Sequence, residues 1–186
     1  MIDYRRQFES IKADAREMLG GVTELQARWQ SGPQQWSIAH CVDHLLVSGR
    51  SSESNLRAAI NEAWSSGLVS QGPFRYGLIE RWFVWQTEPP VRFKMRAPKA
   101  YRPRPGADQP FGQMLADFIA LQDNLLQCVE EAGGLDLARV KVANPVSKLI
   151  RFSLGQELAL NAAHERRHLW QVRRITEHGG FPRETT

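Results

Sequence analysis

"FSLGQELALNAAHERRHLWQVRRI", residues 152–175, decides how the rest of the chain is read. Leu154, Leu158, Ala162, Leu169 and Val172 recur at helical spacing and form one apolar stripe. Ser153 stands in the N-cap position with Gln156 three residues on, the pattern of a capping box. This helix is expected to run to about His178, where "GGFP" ends it. His164 and His168 lie four apart at the edge of the stripe, so their side chains share one helix face. Two imidazoles placed this way converge on one ion, and imidazole suits zinc, iron, nickel or copper. The pair fills only two coordination positions, so a stable site needs a third ligand from elsewhere.

A second stretch, "WSIAHCVDHLL" at 36–46, carries the same step as His40 and His44. Ser37 is a good N-cap for a helix running to about residue 63, with Ile38, Cys41, Val42, Leu45, Leu56 and Ile60 as its apolar stripe. His40 or His44 would supply the third ligand, and spacing alone does not choose between them. The plain alternative is two helix surfaces that each carry histidines. With three ligands and one open position, water or substrate would bind the ion as in catalytic zinc sites.

"HERRH" also matches the zinc-peptidase pattern HExxH, with Glu165 as general base. No convincing third ligand follows it; only Glu177 and His178 lie downstream on the helix. His178 fits better as a favourable charge at the helix end. Glu165 falls near the centre of the apolar stripe by angle, so it is expected to face inward, tied to an arginine such as Arg5 or Arg6. Peptidase chemistry is therefore not the favoured reading.

Working outward, residues 3–28 read as one helix through Tyr4, Phe8, Ile11, Ala15, Met18, Val22 and Leu25, weakened at Gly20 and Gly21. Residues 111–132 read as another, stopped by Gly133 and Gly134. Between 65 and 110 the pattern is irregular. "GPFRYGLIERWFVWQ" is helical in part, while "TEPPVRFKMRAPKAYRPRPGADQP" holds six prolines and cannot be a core helix. Trp82, Phe83, Trp85 and Phe93 are expected to pack down, plugging the end of a bundle or walling a pocket. The predicted fold class is all-α: a four-helix bundle with a long connection between helices 2 and 3, one domain over residues 1–186.

Composition sets outer limits. Apolar residues make up 42% and charged residues 24% of the 186, a globular balance. A net charge of +4, with acids and arginines interleaved, gives no basic stripe, and nucleic acid is not an expected partner. No run approaches the length of a membrane span, so no membrane partner is expected. Cys41 and Cys128 sit in apolar helical patterns and read as reduced core residues, Cys41 not as a nucleophile. The start, "MIDYRRQFESIKAD", lacks a signal-peptide core, so a cytoplasmic location is expected.

With these stretches in view, the chain resembles the DinB-like superfamily, the YfiT/DinB type of metal-binding four-helix bundle. The resemblance rests on "WSIAHCVDHLL" at 36–46, "MRAPKAYRP" at 95–103 and "FSLGQELALNAAHERRHLWQVRRI" at 152–175, together with the helix order. It implies a divalent metal ion, zinc, nickel or iron, on His44, His164 and His168. His40 stands where relatives commonly carry Glu or Gln in a capping box, and would act as a fourth ligand or behind the ligands. Asn161 and Asp43 are candidates to hold a ligand's remote ring nitrogen. Arg166 and Arg167 would draw an anionic substrate, although the plainer reading makes at least one of them only a surface charge. The resemblance further implies an enzyme acting on a small molecule: a transferase using a low-molecular-weight thiol, or a hydrolase. The alternative is a non-enzymatic, stress-related or structural metal-binding bundle. Pairing into a homodimer is also expected.

Overall fold

The computed structural model describes residues 3–92, 97–98, 101–103, 109–143 and 151–183. Among them run six helices and one two-stranded antiparallel sheet: α1 (Tyr4–Leu19), α2 (Glu24–Arg28), α3 (Ile38–Ser65), α4 (Leu78–Thr87), α5 (Phe111–Glu131), β1 (Lys141–Ala143), β2 (Arg151–Ser153) and α6 (Leu154–Thr176). The four long helices are those the periodicity indicates. α1 packs on α5 and α6, and α3 packs on the same two. Each buries one stripe: Tyr4, Phe8, Ile11, Ala15 and Leu19 on α1, Met114, Phe118, Leu121 and Leu125 on α5, Leu158, Ala162, Leu169 and Val172 on α6. Burial of those apolar side chains is the main force holding the helices together.

Several local expectations need correction. The single helix over 3–28 is two. α1 stops at Leu19, and Thr23 then caps a short α2 by a reciprocal pair with Gln26. The Gly20–Gly21 pair and a capping threonine together break what hydrophobic spacing alone would continue. The capping box at Ser153 and Gln156 does not form. Ser153 N donates instead to Glu80 Oε1 of α4 at 2.7 Å, and the next two amides bond to main-chain carbonyls of Val140 and Leu137 at 2.9 Å each. Those carbonyls precede the β1–β2 pair, in which Val142 faces Phe152 across the ladder.

α4 lies in the long connection and packs on α6. Glu80 reaches back to Gly77 N at 3.1 Å and closes its first turn. Phe83 meets Phe152 edge-on, but Trp82 and Trp85 are half exposed, with Arg92 stacked over Trp85 at 4.4 Å. The expectation that these aromatics all pack down therefore holds for Phe83 and fails for the two tryptophans. One face of α4 is covered and they project from the other. Phe93 lies outside the described residues. No described helix is long and apolar enough to cross a membrane.

Candidate metal centre

The centre starts at Ser37. Its hydroxyl accepts the His40 amide at 3.2 Å, while His40 Nδ1 accepts the Ser37 amide at 3.1 Å. This is a capping box with histidine in the glutamate position. It starts α3 with a fixed phase and brings His44, one turn later, against α6. His40 is spent at the helix end and does not join the cluster.

His44, His164 and His168 do come together. One ring nitrogen of each lies within 4.8 Å of those of the other two. Nε2 of His44 and Nε2 of His164 are 3.0 Å apart, and the three ring centroids are separated by 4.6 to 5.0 Å. Two nitrogens each about 2.1 Å from one metal and at right angles would be about 3.0 Å apart. Among the described residues, His168 Nδ1 is buried without a hydrogen-bond partner. Trp36 stacks on His168 at 5.8 Å with 19° between planes and tilts onto His44 at 5.1 Å. The donor set and its spacing fit a divalent ion of the kind imidazole prefers.

Burial keeps the cluster neutral. It lowers His44 below the ordinary histidine range, with the Tyr101 carbonyl and Asp43 opposing. Burial, then the neighbouring His44 and Arg167, takes His164 down to about 3, and His168 is likewise held well below the usual value. Neutral imidazole is the form that binds metal, and burial keeps the three rings in that form at neutral pH.

The other candidates are placed as follows. Asp43 is buried and its charge favours protonation of both His40 and His44. Asn161 does not hold a ligand ring; its amide donates to Ser52 Oγ at 2.7 Å and to Glu157 O at 2.8 Å, tying α6 to α3. Arg166 is engaged with Glu88 through two hydrogen bonds, one of 3.0 Å. Arg167 acts electrostatically on His164 and His168. Glu165 is buried and accepts from Gln122 Nε2 of α5 at 3.0 Å. It faces inward as expected, but its partner is an amide and not an arginine. That places the HExxH glutamate in the core. A cavity of about 380 Å³ lies beside Arg166, and its walls include none of the three histidines.

Two contributors escaped the sequence reading. One is Trp36, legible only as the residue before a capping serine. The other is the main-chain carbonyl of Tyr101, which accepts from His44 Nδ1 at 2.6 Å. A backbone carbonyl has no sequence signature at all.

Residues 7–172 match the family model described as the DinB superfamily. No curated protein and no solved structure gives a match.

Proposed function

The chain belongs to the DinB superfamily, and from that premise we propose that it is a metal-dependent enzyme acting on a small molecule. The four long helices serve as the bundle that carries His44, His164 and His168, and these three hold a divalent ion: zinc, nickel or iron. The observation that carries this reading is the meeting of one histidine from α3 with an i,i+4 pair from α6, neutral and partly enclosed.

On three neutral imidazoles a divalent ion keeps much of its charge and lowers the pKa of a bound water or thiol, which supplies a nucleophile at neutral pH. The chain's own residues do the rest. Tyr101 and Trp36 orient His44 and His168, and Trp36 excludes water from one side of the rings. Arg167 places positive potential at the site and favours an anionic reactant. Glu165, bonded to Gln122, does not serve as the base, so the chemistry is group transfer to or from a low-molecular-weight thiol, or hydrolysis of a small molecule, and not peptide hydrolysis.

A structural metal would need a closed coordination sphere. Among the described residues the cluster has three members, and His40 is committed to the α3 cap, which favours the open site. Cobalt-loaded protein tests this. Adding a small thiol at neutral pH should produce a thiolate-to-cobalt charge-transfer band. A cobalt spectrum that no thiol, azide or cyanide alters would mean a saturated sphere and would overturn the enzymatic reading.

A further inference from the structure

We propose that Tyr101 is a positioning residue of the site: its main-chain carbonyl holds His44 with the proton on Nδ1 and turns a bare Nε2 towards His164. The proposal rests on the metal reading only for its second readout.

A carbonyl oxygen can only accept, so the 2.6 Å contact to His44 Nδ1 puts a proton on that nitrogen. In a neutral ring the other nitrogen is then a lone pair. His44 Nε2 faces His164 Nε2 at 3.0 Å. Two lone pairs do not approach so closely, so either His164 carries its proton on Nε2 and donates it, or a cation sits between the two. Without a cation, one main-chain oxygen thereby sets the tautomers of two rings on two helices.

Tyr101 is held at both ends to do this. Its amide donates to Pro98 O at 2.9 Å. Its phenol lies 3.3 Å from Ser51 Oγ. Ser51 is seven residues beyond His44 on α3, two helical turns or about 10 Å along the axis. The residue therefore lies along α3, with its main chain on the ligand and its side chain pinned further down. This is how Tyr101 becomes part of the centre: its contacts with α3 and the readiness of His44 are one event. Partners of this kind typically alter metal affinity by about 10- to 100-fold when removed.

The test begins with metal-free, ¹⁵N-labelled protein. Long-range ¹H–¹⁵N spectra of the imidazoles, with His44 assigned from His44→Gln, should show His44 protonated on Nδ1 and His164 on Nε2. Tyr101→Gly, which drops the phenol and frees the carbonyl, should give mixed tautomers at His44 and bind zinc about 10- to 100-fold more weakly at unchanged helix content. Tyr101→Phe keeps the carbonyl and should retain the Nδ1–H form with a smaller loss of affinity. A wild-type His44 protonated on Nε2 overturns the proposal, as does a folded Tyr101→Gly with unaltered tautomer and affinity. If Tyr101→Gly does not fold, the wild-type and Tyr101→Phe spectra decide. Nδ1–H at His44 in a protein that takes up no zinc, nickel or iron would support this inference while sinking the metal reading.

Discussion

Replacing Glu165 by glutamine should remove most of a pH dependence that the core imposes on stability. Gln122 Nε2 donates to Glu165 Oε1, while Gln122 Oε1 and Glu165 Oε2 are both buried without a partner among the described residues. Ionised, the carboxylate adds only acceptors to a space that already lacks donors. Protonated, it brings the missing one. Burial pushes the carboxyl up from 4.5 to about 8, with Gln122 and Arg166 acting in the other direction. The folded chain thus keeps a proton that the unfolded chain has lost. A raised acid pKa contributes stability below the unfolded value that disappears as pH rises towards the folded one. Between about pH 6.5 and 8 the loss integrates to about 1.5 kcal/mol for this group, an order-of-magnitude figure. That window lies above the ordinary histidine range and below the cysteine range. Glu157, also raised by burial, contributes equally to parent and variant. Glu165→Gln keeps the shape and pairs amide to amide. Urea unfolding of metal-free protein at the two pH values should show the variant gaining about 1.5 kcal/mol on the parent as pH rises. An unchanged difference between parent and variant would refute the reasoning.

A Cβ on Gly155 would lie 2.1 Å from Tyr76 Oη and 2.7 Å from Tyr4 Oη, which bond to each other at 3.0 Å. Gly155→Ala should therefore cost about 1–3 kcal/mol in urea unfolding, and adding Tyr76→Phe should recover part of it; a silent Gly155→Ala would contradict the packing described. In acid, metal-free protein should lose stability as pH falls from the ordinary histidine value, 6.5, towards about 3, because folded His164 refuses a proton that the unfolded chain accepts. His164→Gln should flatten that limb in urea titrations, and a limb as steep as the parent's would show that His164 is not its source.

The sequence was most legible where one physical rule acted alone. The stripes of α1, α3, α5 and α6 follow directly from apolar spacing, and Glu165 was placed inward by the same angle count. The readings failed where several weak preferences competed. At Gly20–Thr23 hydrophobic period favoured continuing the helix, and capping chemistry stopped it. At Ser153 a good local cap was displaced by Glu80, seventy-three residues away, which no local pattern could announce. The choice of His44 over His40 came from family resemblance. Its physical basis is now visible: His40 Nδ1 closes the cap, so only the histidine one turn later is left to face α6. Asn161 and Asp43 are the side chains that the sequence offers as partners of His44, but the partner is the main-chain oxygen of Tyr101.

The central claim is that imidazoles from α3 and α6 share one cation. Untagged protein, stripped with chelator and dialysed against zinc, nickel or iron(II), should retain one metal ion per chain by elemental analysis. His44→Ala, His164→Ala and His168→Ala should each abolish that retention, and His40→Gln should leave it intact. Metal retained in all three alanine variants, or a parent that holds none, would contradict the account.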